Sequence, residues 1–501
     1  MLFNTMQYII FLPVVVLVYY LLTPKVRYIW LLITSYYFYM QWNPLYVMLL
    51  FSCTFLTYCG ARLIENIHNA GHSGDQKEAY DTRKKKKVCF VVCILLNLGI
   101  LLFFKYFEFG IDCLNHILRL LHVGEVVWDH HIILPVGISF YTLQALGYLI
   151  DVYRGDICAE KNFLRYALFV SFFPQLVAGP IERSKNLLAQ LREPHSFAYE
   201  NLRKGAVLIL YGLFLKMVVA DRAAVLVDTV YGDSGAYPGF YIAVATCFFV
   251  IQIYCDFYGY STIARGSALI MGIHLMDNFK APFFSRSIKE LWQRWHISLS
   301  GWFRDYLYIP LGGNRKGSIR RTLNLLIVFA ISGLWHGASG AYIFWGLLNG
   351  IYQVAGDVVK RVQSAFRHVE RKDGFSRHLL QTAGTFGLFT FACLFFRSGR
   401  LDTAVRVLQD MFSVNNWQIL FDGSLYGLGV ARNYMNVLTA SIVVLFVVDY
   451  RKYKGADVAD GILRQEWWFR TGIYMAMLFA ILLYGCYGEM YNIQQFIYFQ
   501  F

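Results

Sequence analysis

Long apolar stretches recur along the whole sequence, separated by short polar segments that carry most of the charge. A helix needs about 20 mainly apolar residues to cross a hydrocarbon core roughly 30 Å thick, so each stretch predicts a membrane-crossing helix. The predicted helices cover residues 7–22, 28–42, 44–63, 88–107, 132–151, 163–178, 203–220, 239–258, 260–275, 322–338, 341–355, 379–397, 434–449 and 468–486. Several are short or rich in glycine and predict re-entrant or tilted segments, which leaves about eleven complete crossings.

The composition agrees with this pattern. Of 501 residues, 57% are hydrophobic and 16% are charged, whereas soluble domains carry about 25% charged residues. The first apolar stretch follows no basic segment and has no small-residue cleavage site, which indicates a retained helix rather than a signal peptide. The ten cysteines lie mostly within apolar stretches and form no CxxC pair, so neither a metal site nor a disulfide is expected. The sequence predicts an all-α polytopic membrane protein.

The net charge of +14 is concentrated in short segments between the predicted helices. Segments 65–87, 285–321, 356–378 and 450–455 are basic, and cytoplasmic segments of membrane proteins carry such an excess of lysine and arginine. Segment 223–239 has two aspartates and neither lysine nor arginine, which suits the outer face. When the predicted helices cross the membrane in alternating directions from these segments, both termini are predicted to lie outside. This distribution indicates membrane topology rather than nucleic-acid binding.

Segment 285–316 has a different pattern from the predicted crossings. Its aromatic and apolar residues recur at helical spacing, while basic residues interrupt any spanning run. The apolar set is Trp292, Trp295, Leu299 and Trp302, and the basic set is Lys289, Arg294 and Arg304. This combination predicts an amphipathic helix at the cytoplasmic interface, or a re-entrant hairpin there.

Three ionisable residues in hydrophobic surroundings are candidates for a functional site. His336 follows Arg321 by fifteen residues, or about 22 Å of helix, which predicts a position beyond the bilayer midplane. His296, in the interfacial segment, would then lie near the opposite face, so the pair predicts a path across the membrane. Asp256 needs a partner within the membrane, for which Arg294 or Arg304 is expected. Structural roles, such as packing for either histidine and an ion pair for Asp256, remain open.

Five ordered motifs carry a resemblance to a known family. They are ILPVGISFYTLQALGYLIDVYRG (133–155), FFPQLVAGPIER (172–183), DFYGYSTIARGSALIMGI (256–273), LWQRWHISLSGWFRDYLYIPLGGNRKG (291–317) and SGLWHGAS (332–339). Together they closely resemble the membrane-bound O-acyltransferase family. The match is nearest the bacterial branch of alginate O-acetylation and teichoic acid D-alanyl transfer proteins, and the ending FIYFQF (496–501) is similar to the alginate type.

The resemblance implies tilted and re-entrant helices around a central funnel with an acyl tunnel. It implies one membrane-embedded domain over 1–501, with peripheral helices at 1–90, a catalytic core at 91–355 and C-terminal helices at 356–501. The two histidines of the family correspond to His336 and His296. A neutral imidazole can act as general base for an attacking hydroxyl, and His296 would line the donor entrance or polarise the thioester.

The expected reaction moves an acyl group, most simply acetyl, from a cytoplasmic thioester to hydroxyls of an extracellular or periplasmic polysaccharide. The donor is acetyl-CoA or an acyl-carrier thioester, with no tightly bound cofactor. The basic segment 285–321 suits an anionic donor, and Trp295, Arg304 and Arg294 are candidates for its entrance. A secreted or membrane-anchored esterase-like partner would finish the transfer at a bacterial inner membrane.

Three alternatives remain open. The first keeps the fold and moves D-alanine from a carrier protein to teichoic acid. The second is a proton-coupled transporter in which His336 and Asp256 form a proton relay, although the sequence lacks the internal symmetry typical of transporters. The third is a non-catalytic scaffold for secreted partners.

Overall fold

The chain is helical in a computed structural model that describes residues 1–70, 76–129, 132–177, 179–366 and 374–487. Every regular element in these ranges is a helix. Seven of the described helices are long and apolar enough to cross a membrane. The predicted class of polytopic helical membrane protein is therefore confirmed. The number of crossings, the orientation and the central funnel stay predictions, and the FIYFQF ending lies outside the described residues.

The described chain separates into two compact units. The first contains residues 1–205 and 264–276, and the second contains residues 206–263 and 277–501. The first unit holds α1 (Met6–Leu21), α2 (Arg27–Met40), α3 (Tyr46–Ala70), α4 (Gln76–Leu120), α5 (Ile138–Arg154), α6 (Phe163–Ser171), α7 (Phe173–Leu176), α8 (Ser184–Gln190) and the start of α9 (Tyr199–Phe214). The predicted division into three regions of one domain stays a prediction.

The second unit contains the remaining helices. They are α10 (Asp221–Gly232), most of α11 (Phe240–Ile270), α12 (Ile288–Arg294), α13 (Ile297–Phe303), α14 (Gly317–His336), α15 (Gly340–Phe366), α16 (Phe375–Ser398), α17 (Leu401–Ser413), α18 (Arg432–Tyr453), α19 (Val458–Leu463) and α20 (Trp467–Tyr484). Leu215–Ala220 and Arg304–Tyr308 are π-helical, and Pro282–Phe284, Trp417–Leu420 and Ser424–Gly427 are 3-10 helical turns.

Three predicted boundaries were wrong. Predicted helices 239–258 and 260–275 form the single helix α11, because Gly259 is tolerated within it, close to the backbone of Gly212. The predicted helix 163–178 is broken between α6 and α7, since Pro174 lacks the amide that would continue α6. The basic run in segment 65–87 is helical within α4, because lysine and arginine are good helix formers.

Close backbone packing joins α14 to α15 in the second unit. A Cβ atom at Gly333 would collide with the carbonyl oxygen of Tyr342, and one at Gly346 would collide with the carbonyl oxygen of Phe329. Small residues allow helices to approach at this distance. The pair therefore forms a tight hairpin, and His336 is the last residue of its first helix.

Candidate active site

His336 lies at the point where α14 ends. The helix ends because Gly337 is extended, with φ −159° and ψ 150°, and α15 begins at Gly340. The aromatic ring of Tyr342 occupies the position that a Cβ atom of Gly337 would take. Any residue larger than glycine at position 337 would therefore have to displace that ring. His336 itself is 3% exposed. The hairpin thus holds an imidazole inside the protein at a fixed corner of the chain.

His296 occupies the break between α12 and α13. Its backbone is left-handed, with φ 44° and ψ 53°, a conformation that costs a non-glycine residue energy and is often found at functional sites. Asn278 supports the break through two acceptors: its backbone carbonyl accepts from the amide of Ile297 at 2.9 Å, and its Oδ1 accepts from the Ser298 hydroxyl at 2.6 Å. The imidazole of His296 is fully buried.

The two histidines share one buried site. Their ring centroids are 6.5 Å apart, and the Trp335 ring lies beside both, at 6.1 Å from His296 and 4.9 Å from His336. The prediction that they lie near opposite faces of the membrane was therefore wrong. It assumed that segment 285–316 stays at the interface. Instead α12 and α13 bury one face within the second unit, where Trp292 Nε1 donates to Asn349 Oδ1 at 3.2 Å.

Aromatic rings surround the pair. Trp345 and Phe396 lie 5.1 and 5.4 Å from the ring of His336, and Phe257 lies 4.6 Å from the ring of His296. Burial in this apolar shell lowers the pKa of His296 below its ordinary value, because a charged imidazolium would lose its hydration. The surroundings of His296 thus favour its neutral ring, which is the form that accepts a proton.

The residues predicted for a donor entrance occupy different environments. Trp295 is 3% exposed and packs 5.1 Å from the Phe389 ring, within the core. Arg294 donates to Glu290 at 3.0 Å, while Arg304 is mostly exposed and pairs with Asp305 at 2.8 Å. Both arginines are accessible in part, whereas Trp295 contacts other rings. Donor binding by these three residues stays a prediction.

Asp256 has a lysine partner rather than the expected arginine. Lys216 Nζ lies 2.7 Å from an oxygen of Asp256 and 2.7 Å from an oxygen of Asp221. The expected partners Arg294 and Arg304 pair with nearby carboxylates, so that expectation was wrong. Lys216 lies in the π-helical turn Leu215–Ala220, a distortion that often occurs at functional sites. A single lysine within an apolar run was the signal that sequence reasoning overlooked.

A second buried carboxylate was also missed. Asp449, in α18, accepts a hydrogen bond from the Tyr254 hydroxyl at 2.6 Å. The Tyr254 ring lies 5.7 Å from Trp295, the neighbour of His296. This arrangement ties α11 and α18 to the segment that carries the second histidine. Among the residues that the structure describes, no group of three histidine, cysteine or acidic side chains could hold a metal ion.

Comparison with known proteins identifies related chains. The model of the membrane-bound O-acyltransferase family matches residues 159–397, a range that contains both histidines. A probable alginate O-acetylase of Pseudomonas putida is 34% identical over 98% of both chains. A peptidoglycan O-acetyltransferase of Helicobacter pylori is 34% identical over 83% of this chain and 80% of its own length. A teichoic acid D-alanyltransferase of Streptococcus thermophilus is 31% identical over 48% of this chain and 60% of its own.

Proposed function

We propose a specific reaction for this chain, which belongs to the membrane-bound O-acyltransferase family: the transfer of an acetyl group from a cytoplasmic thioester to hydroxyl groups of a polysaccharide outside the membrane. The chain is a multi-pass membrane O-acyltransferase. Relatives named for O-acetyl transfer match most of its length, whereas the match to a D-alanyltransferase covers 48% of it. This difference in coverage supports acetyl as the acyl group.

The observation that carries the proposal is the pair of buried imidazoles, His296 and His336, with ring centroids 6.5 Å apart. In the proposed step, the acceptor oxygen attacks the thioester carbonyl and its proton passes to His336. The new ester forms as the carbon–sulfur bond breaks, and the leaving thiolate takes up the proton that His336 received, which returns the imidazole to its neutral form. General-base assistance of this kind contributes roughly 10²–10⁴-fold in rate. His296, whose ring also lies beside Trp335, orients or polarises the thioester carbonyl.

The donor and the acceptor approach from opposite sides in this scheme. Acetyl-CoA or an acyl-carrier thioester is the donor, and no tightly bound cofactor takes part. The basic charge of segment 285–321 supports an anionic donor on the predicted cytoplasmic face. A secreted or membrane-anchored esterase-like protein accepts the acetyl group or guides the polysaccharide to it. The inner membrane of a bacterium is the proposed location.

The test is restoration of acetylation in cells. The gene is disrupted in its own host, and plasmids supply the parent, His336→Ala or His274→Ala; His274 is an exposed histidine of the first unit and serves as the control. Polysaccharide acetyl content is measured by NMR, and membrane levels of each variant by immunoblotting. The parent and His274→Ala should restore acetylation, while His336→Ala should be present in the membrane without restoring it. Full restoration by His336→Ala would refute its role.

The alternatives give different results in the same strains. D-alanyl transfer would leave polysaccharide acetylation unchanged on disruption and would remove D-alanine esters from the cell envelope. A proton-coupled transporter would move substrate without consuming thioester in reconstituted vesicles. A scaffold would restore acetylation even with both histidines replaced.

A further inference from the structure

The first unit contains a cavity whose lining residues have no role in the reaction steps described above. Its volume is about 330 Å³, and it is lined by the segment between α1 and α2, by α6 and by the residues that follow α8. Ligand pockets begin at about 300 Å³, so this cavity is large enough for a small polar group. All of its lining residues belong to the first unit.

Positive charge predominates in this cavity. Four cationic side chains line it: Lys25, Arg27, Arg165 and Arg192. Glu160, just behind the lining, pairs with two of them, at 3.5 Å from Arg165 and 2.7 Å from Arg192. A single buried carboxylate therefore serves two guanidinium groups. Glu193, which is exposed, is the acidic residue of the lining itself. The four cations therefore outnumber these two carboxylates by two.

Arg27 is held in place without a carboxylate partner in the described part of the chain. Its guanidinium donates to the carbonyl of Leu22 at 3.0 Å and to the carbonyl of His195, and it lies 5.0 Å from the centre of the Tyr19 ring. These contacts fix its position while leaving its charge uncompensated. Lys25, two residues earlier, is exposed and makes no ion pair with any described residue. A fixed guanidinium and a free ammonium thus face one cavity.

We propose that this cavity binds a phosphate group, carried by an anionic phospholipid headgroup or by a coenzyme A-type thioester. Arginine forks match phosphate geometry, and lysine adds an adaptable point charge. The predicted orientation places the turn between α1 and α2 on the cytoplasmic side, where basic pockets between membrane helices bind anionic headgroups. Topology alone requires cations near this turn. It does not require residues from three separate segments to converge on one cavity.

The test uses the full-length protein in detergent and two probes. The first probe is phosphatidylglycerol, with phosphatidylcholine as the neutral reference, and bound lipid is counted by native mass spectrometry. The second probe is coenzyme A, measured by calorimetry. The test variants are Lys25→Gln and the double variant Lys25→Gln/Arg192→Gln. The control is Lys161→Gln/Lys185→Gln, which removes the same charge from exposed lysines of the same unit outside the cavity.

Each lost cation should weaken the binding of one probe about fivefold, since a lysine or arginine near an anionic lipid contributes about that factor. Weaker phosphatidylglycerol binding identifies a lipid site and stands apart from the proposed function. If only coenzyme A binding is weaker, the cavity is a site for the donor's phosphate, and this reading rests on the proposed acetyl transfer. If both probes bind the test and control variants equally, the proposal is refuted. Lys25→Gln breaks no ion pair, so a loss seen with it cannot come from misfolding of the Glu160 cluster.

Discussion

Lys216 provides a quantitative test of the buried ion cluster in the second unit. Its ammonium nitrogen lies 2.7 Å from one oxygen of Asp221 and 2.7 Å from one oxygen of Asp256. All three side chains are buried. Because both oxygens contact the same nitrogen, they can be at most about 5.4 Å apart. Two unit charges at that distance or closer repel by at least roughly 3 kcal/mol at an effective dielectric constant of about 20.

Replacing Lys216 with methionine keeps the length of the side chain and removes its charge. Breaking a buried ion pair from one side costs about 3–5 kcal/mol, because a charge remains buried without its partner. Lys216→Met should therefore lower the free energy of unfolding by about 3–5 kcal/mol. Adding Asp256→Asn removes one of the two repelling charges and should recover most of the roughly 3 kcal/mol of repulsion.

The measurement is equilibrium unfolding of the purified protein in mixed micelles, followed by tryptophan fluorescence as the denaturing detergent increases. Lys289→Met is the matched control, since Lys289 is an exposed lysine of the same unit, and it should unfold like the parent. A Lys216→Met variant as stable as Lys289→Met would contradict the role of the buried ion cluster. A double variant no more stable than Lys216→Met alone would contradict the repulsion between the two carboxylates.

Two further predictions concern packing and pH. Gly346→Ala should prevent the close approach of α15 to the Phe329 carbonyl and abolish detergent-stable protein, whereas Gly356→Ala, which meets no atom within 4 Å, should be tolerated. Size-exclusion chromatography of the two variants measures this difference, and equal elution profiles would contradict the packing account. Burial alone would raise the pKa of Glu160, but hydrogen bonds from Asn162 and Arg192 and the charges of its arginines lower it below 4.5. The stabilising effect of the Glu160 carboxylate is therefore complete above pH 4.5 and is lost as pH falls further. The thermal unfolding temperature between pH 6 and pH 3.5 should then depend less on pH in Glu160→Gln than in the parent. Identical pH dependence in the two proteins would contradict this account.

Hydropathy predicted the helical membrane class because each crossing must satisfy its backbone within itself. The same pattern could not place boundaries where tertiary contacts decide them. Glycine weakens a helix in isolation, yet the backbone of Gly212 packs against Gly259 and α11 continues. Pro174, by contrast, breaks its helix through its own covalent structure, and that break could have been predicted.

For the candidate site, too, the sequence predicted the residues but not their arrangement. Motif resemblance selected His336 and His296, but counting residues along one helix placed them far apart. Their proximity depends on α12 and α13 entering the core, where Trp292 bonds to Asn349, and no local pattern encodes that contact. The tryptophans of this segment predicted an interfacial helix, but a helix face buried in protein has the same spacing of aromatic residues as a helix face at a membrane surface. Lys216 was overlooked although a lysine inside an apolar run requires a carboxylate.

In the proposed reaction, His336 and His296 act together on one acyl group. The most direct test is a double-mutant cycle on acetyl transfer from acetyl-CoA by purified protein, comparing His336→Ala, His296→Ala and the double variant. If the two rings serve one step, each single variant should lose roughly 10²-fold or more, and the double variant should lose no more than the worse single variant. Losses that multiply in the double variant would show independent contributions and contradict the account.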